Sequence, residues 1–188
     1  MTGSAKSPDP RFGSALGSEY NLRGFRPEDM MYLVDIDAKC GDIPWSYEQW
    51  MQKVHNHTGS VVTFYGTPVG FAMFQRMGEY VELVKIAVKS QYRRQHLGVL
   101  LMSGCFRFAQ DMGCHTIFTV MPETYLPRPG EPGEPAVKFF PACGFAAAKG
   151  MLRDYYHFDG RSIDGVKFVQ TIARTTPERG DLTNDIST

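Results

Sequence analysis

The chain has 188 residues with no formal net charge, 43% of them hydrophobic and 13% aromatic, enough for one domain with a sizeable core. A neutral chain offers no basic field to nucleic acid or to an anionic membrane surface. No run approaches the roughly 20 apolar residues of a membrane helix, and no charged stretch precedes an apolar run at the N-terminus, so no signal peptide is expected.

Residues 1–19 are rich in Gly, Ser and Pro and lack periodicity, which predicts an extended or disordered arm. Residues 20–25 read as a first strand. Pro27 opens a helix whose apolar face is Met30, Met31, Leu33, Val34 and Ile36. Ser46 is placed to cap a second helix ending near His55. Residues 60–65, a Gly66-Thr67-Pro68 turn and residues 69–75 form a hairpin, and Gly78 separates it from a strand over 79–88. Leu97, Leu100, Leu101, Cys105 and Phe108 have helical spacing over 97–112, with Gly113 past the end. Gly104 inside that helix costs roughly 1 kcal/mol against alanine, which predicts close packing there.

Residues 116–121 read as a strand. Residues 122–135 hold five prolines and two glycines and fit neither a helix nor a central strand. A short helix over 136–142 follows, then strands over 145–152 and 166–173 joined by a polar loop, and a polar tail over 174–188. The order strand, two helices, three strands, helix, strand, helix, two strands predicts an α/β (α+β) domain over 20–173. Its sheet is mixed and mostly antiparallel, of about six or seven strands with about four helices. Cys40, Cys105, Cys114 and Cys143 lack CxxC spacing and read as buried free thiols in a reducing, cytoplasmic compartment. His55 and His57 have no accompanying Cys, Asp or Glu cluster, so no metal site is expected.

The most informative segment is EYVELVKIAVKSQYRRQHLGVLLMSGCFRFAQDMG, residues 79–113. An apolar strand runs into a basic turn, and a helix opens at Leu97-Gly98. Free N–H groups of the first helical turn and the helix dipole favour an anion there, so a phosphate-bearing ligand is expected on the turn.

The segment Arg93-Arg94-Gln95-His96-Leu97-Gly98 resembles the acetyl-CoA motif Gln/Arg-x-x-Gly-x-Gly/Ala of the GNAT (GCN5-related) N-acetyltransferases, with His96 standing where the motif has its first glycine. Ile43-Pro44-Trp45-Ser46 through Trp50 is similar to the PWS segment of the ribosomal-protein N-terminal alanine acetyltransferases (RimI-type). The run Leu152 to Tyr156 with Asp164-Gly165-Val166 resembles their Tyr-Tyr…Asp-Ala hairpin, and Phe139 to Phe145 their Gly-Phe segment. The resemblance covers about residues 20–173. It implies a GNAT fold with a central splayed parallel pair, formed by the fourth and fifth strands. It also implies acetyl-CoA as co-substrate, with transfer to an amine of a protein or peptide, including an N-terminal α-amine. A lysine side chain, a small-molecule amine, or a degenerate domain that binds CoA or a partner without catalysis are the alternatives. Neither a nucleic acid nor a membrane is expected as partner.

On this basis Ile86, Ala87 and Val88 would receive pantetheine. Arg93, Arg94, Gln95, His96, Leu97, Gly98 and Val99 would hold the pyrophosphate. Glu82 is a carboxylate within an apolar strand, where an unpaired charge is costly and burial favours a base of raised pKa. It also matches the catalytic glutamate of GNAT histone acetyltransferases. A salt bridge to Lys85 or to a neighbouring strand, or a solvent-facing position, explains it equally well. The tyrosine that protonates the leaving thiolate in many members is Phe140 here, and the acidic or histidine position at the end of the fifth strand is Val120; neither donates a proton. Glu123 and Tyr125 stand just beyond and could substitute. Tyr155 and Tyr156 offer a flat face and a hydroxyl to a peptide acceptor, or else place one ring in the core and one on the surface. Trp45 could wall the acceptor cleft, and the 122–135 segment would lie at its entrance.

Overall fold

The computed structural model describes residues 17–41, 43–54, 58–130 and 133–172. The expected tail, most of the expected arm, His55, His57 and Glu131 lie outside the described residues.

Eight strands form one sheet: β1 Tyr20–Gly24, β2 Thr58–Phe64, β3 Thr67–Met77, β4 Tyr80–Val88, β5 Thr116–Pro122, β6 Ala146–Ala147, β7 Leu152–Phe158 and β8 Arg161–Thr171. The order is β1-β2-β3-β4-β5-β8-β6, and β7 pairs with β8. Four helices flank it: α1 Met30–Cys40, α2 Tyr47–Val54, α3 Leu97–Asp111 and α4 Ala136–Ala142. The element order is the one expected with β7 added, since β6 lies within the strand expected over 145–152.

Only β4 and β5 run parallel, and they pair over three residues, from Tyr80 with Thr116 to Glu82 with Phe118. Beyond Glu82 the strands part. Leu83 to Val88 keep β3 on one side, while Thr119 to Pro122 keep β8 on the other.

Alternation along the strands divides the core into two clusters. Val62, Ala72, Phe74 and Leu83 pack with Leu101, Met102 and Cys105 of α3. Val61, Phe71 and Met73 pack with Leu33 and Ile36 of α1 and Trp50 of α2. Burial of each such side chain stabilises by roughly 1.5–3 kcal/mol. Gly104 packs where expected: a Cβ there would lie 2.8 Å from Ser60 Oγ. Helix α2 starts as predicted, since the Gln49 N–H donates to Ser46 Oγ (3.2 Å) and the Ser46 N–H donates to Gln49 Oε1 (2.8 Å), a reciprocal cap. Cys105, Cys114 and Cys143 are buried free thiols and Cys40 is half-buried; burial pushes the Cys143 thiol up to about 11.

Three stretches differ from expectation. The first hairpin turns at Tyr65-Gly66, both with positive φ, so Thr67 and Pro68 already belong to β3. The predicted polar loop before the last strand is instead the β7–β8 hairpin, turning at Asp159-Gly160 with φ of 50° and 70°. Residues 148–151, expected as strand, lie between β6 and β7. Strand β7 is exposed along most of its length, so no apolar alternation marks it; the family resemblance of Leu152 to Tyr156 with Asp164 to Val166 is what implies the hairpin, and the Asp-Gly turn fits it.

No helix among the described residues is long and apolar enough to cross a membrane.

Candidate active site

Two irregular strands build the site. In β4 a bulge adds one residue: Met73 faces Lys85 and Phe74 faces Leu83, leaving Val84 extra. An added residue reverses the alternation beyond it. Glu82 and Lys85, three apart, therefore share the sheet face of Gln75, Met73 and α1. In β7, Leu152 faces Gly165 and Tyr156 faces Ile163, so Arg153, Asp154 and Tyr155 oppose Asp164 alone. Asp154 adopts φ of 53°. Its N–H donates to Asp164 Oδ1 (3.0 Å), and Arg153 pairs with the other oxygen of that carboxylate.

At the β7 irregularity two successive tyrosines reach β4 and β5 with their hydroxyls. Tyr155 Oη donates to Glu82 Oε1 (3.0 Å), and Tyr156 Oη donates to the Val120 carbonyl (2.6 Å). Their rings meet edge to face with centroids 4.9 Å apart. Gln75 Nε2 donates to Glu82 Oε2 at 2.7 Å. Glu82 is buried, and both of these donors are neutral. Burial first, and then the Glu82 carboxylate, push the Tyr155 phenol well above its ordinary range. Burial likewise raises Tyr156, with Tyr155, Tyr125 and Glu82 adding to it.

Lys85 does not pair with Glu82. Its ammonium lies 2.6 and 2.8 Å from the Asp37 carboxylate and 3.0 Å from the Ile43 carbonyl, 4.5 Å above the Trp45 ring. Burial pulls the ammonium below its ordinary range, against the opposing pull of Asp37. Asp37 also accepts the Trp45 N–H (2.9 Å) and Trp50 Nε1 (3.1 Å). Trp45 is therefore held on the β4 face that carries Glu82.

Ile86, Ala87 and Val88 lie past the last β4–β5 pair. Arg93 turns back, its Nε donating to the Val88 carbonyl (3.0 Å) and its Nη2 to the Cys40 carbonyl (3.4 Å). Gln95 Oε1 accepts the Tyr20 hydroxyl at 2.6 Å. Arg94 and His96 are exposed and left-handed, with φ of 63° and 58°. The backbone thus takes, at His96, the conformation that glycine enters most freely. No side chain caps the first turn of α3. Leu97 is buried and Val99 half-buried. A Cβ on Gly98 would lie 3.0 Å from Phe139 Cε2, so this glycine also serves the packing of α4. A helix start with free donors, a basic turn and a strand edge without a partner fits a ligand carrying both phosphate and amide groups.

Glu123 and Tyr125 form a 3-10 turn after β5, Glu123 exposed and Tyr125 half-buried against the core. Phe140 is a core residue, stacked with Phe139, Phe145 and Phe168 at 5.3–5.8 Å. Among the described residues no group of three or more His, Cys, Asp or Glu could hold a metal ion.

Glu82, Trp45, Tyr155 and Tyr156 are thus gathered around the β4–β5 divergence. Gln75 and Asp37 were missed in the sequence. Asp37 had a signal, a carboxylate on the α1 face of Leu33 and Ile36; Gln75 had none, because its neighbour is set by strand register.

The profile of the acetyltransferase (GNAT) family matches residues 26–145. The chain belongs to this family. Among solved structures, the GNAT domain is similar to the ribosomal-protein-S18-alanine N-acetyltransferase from Escherichia coli. The TM-score is 0.68 at 20% identity, covering 85% of this chain and 97% of that one. It is similar to Arabidopsis thaliana NAA60, solved with a bisubstrate analogue, at TM-score 0.67 and 15% identity, over 81% and 98% of the two chains. A third likeness is yncA, a putative acetyltransferase from Salmonella typhimurium solved with acetyl-CoA, at TM-score 0.62 and 14% identity over 86% and 99%. These likenesses establish the fold. No curated protein matches the chain.

Proposed function

We propose that this protein is an acetyl-CoA-dependent N-acetyltransferase acting on an amine of a protein or peptide, with an N-terminal α-amine as the favoured acceptor. The observation that carries this is the place of Glu82. A buried carboxylate held by two neutral donors stands where β4 and β5 separate. Acetyl-CoA would supply the activated acetyl thioester. The α3 N-terminus with Arg94 and the flanking 93–99 turn would hold its pyrophosphate, and the edge of β4 around Ile86, Ala87 and Val88 that β5 leaves unpaired its pantetheine amides, with the Val88 carbonyl held by Arg93. Glu82 would take the proton of the amine. Tyr155, Tyr156 and Trp45 would flank the acceptor, with Glu123 and Tyr125 at its entrance. Positioning of this kind is worth several kcal/mol by itself. Neither Phe140 nor Val120 supplies an acid; a thiol of pKa about 8.5 leaves as thiolate without one. Free thiols fit the cytoplasm as the working compartment.

A second reading, a domain that binds CoA without transfer, is favoured by the burial of Phe140 in the core. Calorimetric titration with acetyl-CoA, followed by a peptide and amine screen, separates the two. Transfer that Glu82→Gln abolishes supports the enzyme. Binding weakened by Arg94→Glu, with no transfer to any acceptor, supports the second reading. Absence of binding overturns both.

A further inference from the structure

Glu82 is only 9% exposed, whereas Tyr155, whose hydroxyl it accepts, is 41% exposed. The other carboxylate oxygen is occupied by Gln75, a residue of the neighbouring strand. Oε2 is thus held by Gln75 and Oε1 by the Tyr155 hydroxyl, so the phenol stands between Oε1 and any group that approaches on that side.

We propose that Tyr155 is a catalytic residue, the proton conduit between the acceptor amine and Glu82. This rests on the transferase reading above and deepens it. As the nitrogen–acetyl bond forms and the carbon–sulfur bond breaks, the proton on nitrogen passes to Tyr155 Oη. The phenol's own proton passes to Glu82 Oε1. Sulfur leaves as thiolate, and the protonated carboxyl afterwards releases its proton through the same hydroxyl to solvent water, which restores the carboxylate. Each heavy atom keeps its octet, and Tyr155 ends as it began, a neutral phenol. Burial and the neighbouring carboxylate keep the hydroxyl protonated at neutral pH, so it always has a proton to pass on. The device needs the β7 irregularity. Without the two extra residues opposite Asp164, Tyr155 and Tyr156 would face opposite sides of the strand.

The test is Tyr155→Phe, which keeps the ring and removes only the hydroxyl. The expected result is a fall in kcat on the order of 100-fold, the size of a general acid–base contribution, with the acceptor KM little changed. The solvent isotope effect on kcat should have a curved dependence on deuterium content in the wild type and a linear one in the variant. In the protein free of substrates, the carbon-13 signal of the Glu82 carboxyl should move on Tyr155→Phe. Unchanged kcat, a loss confined to KM, or an unmoved carboxyl signal overturns the conduit. Wild-type protein that transfers acetyl to no amine overturns the transferase reading itself, a result distinct from a variant that retains wild-type turnover.

Discussion

Lys85 and Asp37, 48 residues apart, meet at 2.6 Å beneath the Trp45 ring, and the Asp37 carboxylate also accepts two N–H groups from the Trp45–Trp50 segment. One buried ion pair thus ties β4 to α1 and to the start of α2, next to the strand position that carries Glu82. Removing one partner leaves a buried charge without compensation.

Asp37→Ala should therefore destabilise the fold by about 3–5 kcal/mol, and Asp37→Asn with Lys85→Met, which removes both charges but keeps an acceptor for the Trp45 and Trp50 N–H groups, should cost less. Urea unfolding of the single and double variants checks this. Equal losses would show that the pair is not the source.

His96→Gly should stabilise the protein by roughly 1 kcal/mol, because His96 holds a left-handed backbone that glycine enters without steric cost. The α3 N-terminus keeps its donors, so acetyl-CoA affinity should not fall. Thermal unfolding and calorimetry report the two effects separately.

Gly165 is closed in by the site: a Cβ there would lie 2.4 Å from Val120 Cγ1 and 3.2 Å from Tyr155 Cβ. Gly165→Ala should cost about 1–3 kcal/mol by overpacking and displace Tyr155 from Glu82. Loss of turnover beyond the loss of stability would be seen at a temperature where the variant is fully folded.

Acid sensitivity should trace in part to Asp29. Burial alone would raise its carboxyl, but the Arg23 guanidinium at 2.6 and 2.7 Å and the Arg26 N–H at 2.9 Å outweigh it and hold the carboxyl below its ordinary 3.8. Below 3.8 the unfolded chain binds the proton first, so this stabilisation is complete above that pH and is lost as pH falls through the folded value. Asp29→Asn should lower stability at neutral pH and flatten the decline in that acid window. A denaturation series in pH, with and without the substitution, measures both.

Much of the scaffold was legible. Helix α3 announced itself through Leu97, Leu101 and Cys105 at helical spacing and Gly113 at its end, and α2 through Ser46 as its cap. These signals are local, since period and capping are decided within a few residues. Periodicity does not mark β7 as strand, because Arg153, Asp154 and His157 are exposed and show no alternation; the hairpin is expected there only from the family resemblance of Leu152 to Tyr156 with Asp164 to Val166. The Glu82 alternative of a salt bridge to Lys85 fell to the bulge at Val84 and to Asp37, neither of which strand periodicity can express.

Near neighbours in the chain set most of the order of elements, the basic turn before a helix start, and the presence of a carboxylate in an apolar strand. What that carboxylate touches is set by the folded arrangement of distant strands. The contacts of Glu82 with Gln75 and Tyr155 depend on a bulge in β4, a two-residue irregularity in β7 and the divergence of β4 from β5. A shift of one residue in any register sends a side chain to the opposite face of the sheet, so these contacts are set by pairing between distant strands and not by local pattern.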